Sequence, residues 1–200
     1  VARILARRHG ITAYHCDFAN AHGHQDRKLA GQVRNGEQPH DFDPEQHWVR
    51  STPEEMAASV LTGFQRGFDW VLDDLRALVS GRPILAEGWA LRPELVAPIV
   101  DDRRRMLVMV PSEEFRQHQL KNLPRAGELK LGLSDPELGQ HNRLARDRLV
   151  AEDVVAEARA YGIRVLEVSG TRDAEEIAND VEDHFAPYLA GAVLVGGITA

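Results

Sequence analysis

Apolar positions fall into two rhythms along this chain, and the alternation between them predicts its elements. Val1, Ile4, Leu5 and Arg8 share a face at helical spacing, Arg7, Arg8 and His9 place cations in the last turn, and Gly10 stops the helix. Residues 11–17, Ile-Thr-Ala-Tyr-His-Cys-Asp, are rich in β-branched and aromatic types and read as a strand ending in an acid. Residues 18–50 lose the rhythm. They hold several histidines and glycines with Pro39 and Pro44, and read as a long loop or insert with a short helix near Asp26 to Val33. Ser51 or Thr52 caps a helix with Pro53 in its first turn, and Met56, Val60, Leu61, Phe64, Phe68, Val71, Leu72, Leu75 and Leu78 line its inner face. Gly81 and Pro83 end it.

Residues 83–91 then read as a short buried strand broken at Gly88, and Arg92-Pro93-Glu94 opens a helix to about Val100. The continuous apolar run of 105–111 suits a parallel strand covered on both faces. Ser112 caps a helix, 121–140 is loop-like, 141–161 is helical with Gly162 as its stop, 163–168 is a strand, and a last helix runs from Asp173 to near Pro187. Strands alternating with helices predict an α/β fold: a parallel sheet with right-handed crossovers and helices on both faces, three layers in all.

Composition narrows the function classes. The chain has 200 residues, 43% hydrophobic and 28% charged, which suits one globular domain over 1–200. No apolar run reaches the length of a membrane span, so no membrane partner is expected. The net charge of −7 leaves no whole-chain basic field, so no nucleic acid is expected either. The one cysteine, Cys16, has no partner within the chain, which suits a reducing, cytoplasmic compartment. His22 and His24 form a single His-x-His pair beside His15, Cys16 and Asp17, too few paired ligands for a structural zinc site, and no metal ligands are assigned to the protein. A metal-dependent hydrolase built on these histidines is the third-ranked reading.

Ligands of open parallel sheets bind beyond the carboxyl ends of the strands. Those ends here are His15-Cys16-Asp17, Glu87-Gly88-Trp89, Pro111-Ser112-Glu113 and Ser169-Gly170-Thr171-Arg172. Gly88 allows close approach of a substrate to the backbone, and Trp89 is a candidate pocket wall. Arg143, Arg146 and Arg148 open a helix after a glycine- and proline-rich loop; the first two share a face, with Asp147 placed to orient one of them. Arg116 is a weaker anion-binding candidate, and Arg50, at the end of the insert, could take an anionic substrate. Arg103 to Arg105 read as a solvated turn.

These marks, in this order, resemble the P-loop small-molecule kinases related to nucleoside, nucleotide, shikimate and gluconate kinases. The carriers are the Ala-rich opening helix, Asp17 after the next strand, Ile84-Leu85-Ala86-Glu87-Gly88, the segment His141 to Arg148 as a lid motif, and Ser169-Gly170-Thr171 as a base-holding loop. The resemblance implies transfer of the γ-phosphate of ATP, with Mg2+, to a small hydroxyl-bearing acceptor. It implies Asp17, Arg143 and Arg146 as catalytic groups, and Glu87, Gly88, Trp89 and Arg50 on the acceptor. Arg116, Ser169, Gly170, Thr171 and Arg172 would hold the nucleotide, 18–50 would cover the acceptor, and 121–145 would form the lid. The family's phosphate loop, G-x-x-x-x-G-K-[ST], is absent from these 200 residues. The expectation is therefore an N-terminally shortened kinase, lacking its first, central strand and phosphate loop: active as an intact parent, inactive as this chain. The competing class is a degenerate nucleotide-fold module that binds or scaffolds without catalysis.

Overall fold

The computed structural model describes residues 1–38, 42–122 and 132–189. It is a mixed α/β chain with parallel strand pairing, as the alternation predicts. The strands β1 (Thr12–His15) and β2 (Ile84–Glu87) pair in parallel with His15 opposite Glu87. The strands β3 (Leu107–Pro111) and β4 (Arg164–Val168) pair in parallel with Pro111 opposite Val168. Among the described residues β2 and β3 do not pair with each other, so the expected sheet appears as two two-stranded sheets.

The helices form for the reasons the sequence supplies. Helix α1 (Ala2–His9) ends at Gly10, whose φ of 60° is the left-handed cap a glycine adopts without strain. The short helix expected near Asp26 to Val33 is present as α3 (Gln25–Arg34), whereas 16–24 departs from the expected strand end and loop: α2 (Cys16–Ala19) and a π-helical turn (Asn20–His24) run into α3 as a nearly continuous helix. Beyond Cys16, which enters the core, its described holds on the body are largely polar, which is why no apolar rhythm announces it. His24, 5% exposed, lies 2.8 Å through Nε2 from Asp74 Oδ2 and 2.6 Å through Nδ1 from Asn20 Oδ1. A carboxylate only accepts, so the Nε2–H donates to Asp74, and Tyr14 donates to the same oxygen at 2.9 Å.

Helix α4 (Pro53–Ala77) starts with a full capping box between Thr52 and Glu55. Helix α5 (Pro93–Val96) is one turn long. Arg103–Arg105 form a short 3-10 turn, with Arg104 on Asp102 and Arg105 over the Tyr188 ring. Ser112 caps α6 (Glu113–Asn122), its Oγ accepting from Phe115 N at 3.2 Å. Helix α7 (Pro136–Ala160) begins earlier than position 141, because Asp135 accepts from Leu138 N and Pro136 takes the first helical position. Residues 136–145 of the expected lid are thus helix, and 123–131 lie outside the described residues. Helix α8 (Ala174–Leu189) begins at a reciprocal Asp173–Glu176 cap and runs through Pro187.

Alternate strand residues enter different cores. Leu5 of α1 with Ile177 and Val181 of α8 packs on Leu85, Leu107, Leu166 and Val168. Val108, Val110 and Val165 point into a second cluster with Ala97, Ala158 and Ile163. Cys16, Phe68, Val71 and Ala90 make a third, reached by Tyr14. Helices α1 and α8 therefore touch residues of both sheets from one side. No described helix is long and apolar enough to cross a membrane.

His24→Ala removes the hydrogen bond to Asp74 that ties 16–34 to α4 and the bond to Asn20 within the run, so it should lower unfolding stability by about 2 kcal/mol in urea titration. A change below about 0.5 kcal/mol would mean the segment is held by something else.

Candidate functional site

The carboxyl ends of β1 and β2 interlock residue by residue. His15 contacts the Glu87 carboxylate through Nδ1. Gly88, at φ 141°, brings its backbone so close to the neighbouring turn that a Cβ there would lie 2.7 Å from Cys16 Cβ and 2.9 Å from Asp17 Oδ1. Trp89 then donates its backbone N–H to Asp17 Oδ1 at 2.9 Å. The two triplets read off the sequence as separate rim features are one structure, and Gly88 is required at its centre.

Beyond this lock lies a cavity of about 780 Å³ between the two sheets. Ala86 and Glu87 of β2 and all of β3, from Leu107 to Pro111, line it. Consecutive rather than alternate residues on the wall mean that strand edges, not faces, front the space. Asp17, Glu87, Gly88 and Trp89 stand on its wall, Arg116 reaches it from α6, and Arg143 and Asp147 reach it from α7. Six of the sequence-derived site residues thus share one cavity, although they come from four separate stretches of chain.

Charge at the rim is shaped by surroundings. Burial raises the Asp17 carboxyl above the usual aspartate range; the Trp89 N–H works against that, and the nearby Glu87 charge adds to it. By area Asp17 is exposed, so only the carboxyl end is crowded. Burial also pushes the Cys16 thiol up to about 12, which keeps it protonated as a packing group. Arg116 Nη1 is buried and has no hydrogen-bond partner among the described residues, a donor set suited to an anion.

Other expected residues lie elsewhere. Arg146 does not line the cavity. It sits over the rings of Trp48 and Trp89, at 5.2 and 5.8 Å from their centroids. Arg50 is exposed at the end of a π-helical turn, Gln46–Arg50. Ser169, Gly170 and Thr171 follow β4 and do not line the cavity; the Phe115 ring occupies the place that a Gly170 Cβ would take. Arg172 turns onto α8, donating to Asp180 at 2.5 and 3.1 Å. His22 is bonded to Phe18 O and His24 to Asn20 and Asp74, so the His-x-His pair serves the helical run.

Sequence reading missed Arg92, His15 as a partner of Glu87, and Trp48. Arg92 is 2% exposed and lines the cavity, bonded to Glu94 and Asp153 at 3.1 and 3.0 Å. Its pairing is tertiary, and no local pattern signals it. The register of His15 opposite Glu87 could have been found by aligning the two strand ends. In comparisons with known proteins, no family model, no curated protein and no solved structure matches this chain.

Gly88→Ala should destabilise by about 1–3 kcal/mol, since it adds both left-handed strain and a collision with Cys16; an unchanged denaturation midpoint would deny the close approach. Asp17→Asn keeps the oxygen that accepts from Trp89 but drops a charge the fold disfavours. Because the folded pKa is raised, ionised Asp17 opposes folding above that pKa, so the variant should melt about 1 °C higher at pH 7 after allowance for solvent screening. The gain should vanish below about pH 3.9, where both states are protonated. A gain that persists in acid would contradict the burial account.

Proposed function

We propose that this chain is the body of an ATP-dependent phosphotransferase that acts on a small hydroxyl-bearing acceptor. The observation that carries this reading is the cavity: facing edges of β2 and β3 bound it, and carboxylates and guanidiniums converge on it at the carboxyl ends of the strands. A parallel strand entering between β2 and β3 would join the two sheets into one, with α1 and α8 on one side and α4 and α7 on the other. That is the three-layer architecture of the P-loop kinases, with the strand leading into a phosphate loop.

Phosphoryl transfer is chiefly positioning and electrostatics. Asp17 would orient and deprotonate an acceptor hydroxyl, and its raised pKa, which makes a better base than an ordinary aspartate, supports that role. Arg116 and Arg143 suit phosphate oxygens, the first with an unsatisfied buried donor. With Asp17 as the base, Glu87 would offer the hard carboxylate that Mg2+ takes beside substrate phosphates. The ion would supply charge neutralisation on the transferring group. The 169–172 loop, packed on Phe115 and tied to α8, offers little to a nucleotide base as it stands. The acceptor and the nucleotide are the partners of this reading, and a cytoplasmic setting goes with the use of ATP.

The second reading, a binding module without catalysis, is favoured by the lack of a G-x-x-x-x-G-K-[ST] match in the 200 residues. One experiment separates the two. The coding frame ahead of Val1 is read, the longer product is expressed, and ADP formation is measured with Mg2+ against a panel of hydroxyl compounds. Acceptor-dependent ADP formation that falls about 100-fold or more in Asp17→Asn and about 10-fold or more in Arg116→Ala supports the phosphotransferase. A product with no glycine-rich loop and no ATP turnover leaves the binding module.

A further inference from the structure

Arg146 enters the sequence reading as a group that closes over phosphates, and its surroundings assign it other work. Three residues on one face of α7, at spacings of three and four, all meet the Gln46–Arg50 turn. Gly139 is buried there, and a Cβ on it would lie 3.5 Å from Trp48 Cβ. Asn142, 7% exposed, donates through Nδ2 to Trp48 O at 3.1 Å. Arg146 follows one turn later with its guanidinium over the Trp48 ring. The helix thus grips Trp48 by shape, by a hydrogen bond and by a cation–π contact.

Arg146 also faces a second indole, that of Trp89. Its side chain is 12% exposed, and Nε lies 2.7 Å from Asp147 Oδ1. That contact is an ion pair off the N–H direction, because neither atom has a hydrogen-bond partner among the described residues. The Coulomb attraction fixes the head of the side chain while the flat guanidinium meets two rings. Burial, with the Arg146 charge adding to it, holds the His47 imidazole, edge-on to the Trp48 ring, below its usual pKa.

We propose that Arg146 is a positioning residue that couples the 46–50 turn to the rim by holding Trp89, and through the Trp89 N–H holding Asp17. The chain of contacts is Trp48 ring, Arg146 guanidinium, Trp89 ring, Trp89 N–H, Asp17 Oδ1. Its functional weight rests on the reading of Asp17 as the acceptor-side carboxylate; the coupling itself does not. Arg146 then sets where the wall and the carboxylate stand, and the 46–50 turn, α7 and the rim shift together.

The chain's three tryptophans make this measurable. Trp48 and Trp89 belong to the clamp, and Trp70, beside His24 and Arg27, is the internal control. In the proton–nitrogen NMR spectrum of the chain, Arg146→Ala should displace the indole N–H signals of both Trp48 and Trp89 and leave that of Trp70 in place. Exchange of the Trp89 backbone amide should quicken by about tenfold. Arg146→Lys keeps the charge but not the flat fork, so it should displace both signals in the same direction by less. If Arg146→Ala fails to fold, Arg146→Lys carries the test alone, and displacement of both clamp signals is required. An unmoved Trp89 signal in the folded variant, or a shift of Trp48 alone, overturns the coupling. A displaced Trp89 together with undiminished turnover in Asp17→Asn would instead overturn the phosphotransferase reading and leave the clamp standing.

Discussion

The close approach at Gly88 is the constraint from which the rest of the site follows. Two parallel strands that end together bring their next residues together as well, but a side chain on the middle residue would hold the ends apart. With glycine there, backbone meets backbone, and Asp17 can accept the Trp89 N–H. That bond fixes the carboxylate on the wall of the cavity, and the His15–Glu87 contact fixes the other. Neither acid is held by a conventional loop: Glu87 is held at the last pair of the ladder, opposite His15, and Asp17 by pairing carried beyond it.

The same strands explain how the cavity keeps its shape. Leu85, Leu107 and Leu166 all pack on the α1 and α8 layer, so the two small sheets share a floor although among the described residues they do not pair. Arg8 ties that layer together from outside, reaching Glu175 and Glu182 of α8 at 2.7 and 2.5 Å. These ion pairs are partly exposed and contribute little stability. They orient α1 against α8, and the floor beneath both sheets depends on that orientation.

Much of the fold was legible because each long element carries its own signals. The α4 start shows Thr52, Pro53 and Glu55, the β3 run is uninterrupted, and Gly10 and Gly162 stand where helices stop. The errors came where interactions cross the chain. The helical run of 16–34 is held by His24 on Asp74, fifty residues away, which no local rhythm records. The start of α7 was readable in Asp135-Pro136 but was hidden by the glycines and prolines around it. At the site, the rim acids and Arg143 could be found from strand ends and helix starts. The displacement of Arg146 could not, because it depends on Trp48 and Trp89, neither of which is near it in sequence. The packing of the 169–172 loop was equally illegible, because Phe115 comes from another helix to fill its hollow.

The inward-facing edges of β2 and β3 have a consequence for how the protein behaves in concentrated solution. Unpaired edges ordinarily recruit strands from neighbouring molecules and start aggregates. Here they front a cleft walled by α6 and α7, with Arg116, Arg143 and Asp147 among its lining. A foreign segment must pass cations and an acid to reach the backbone that no described strand pairs, so the most adhesive edges among the described residues are also the ones that strangers reach last.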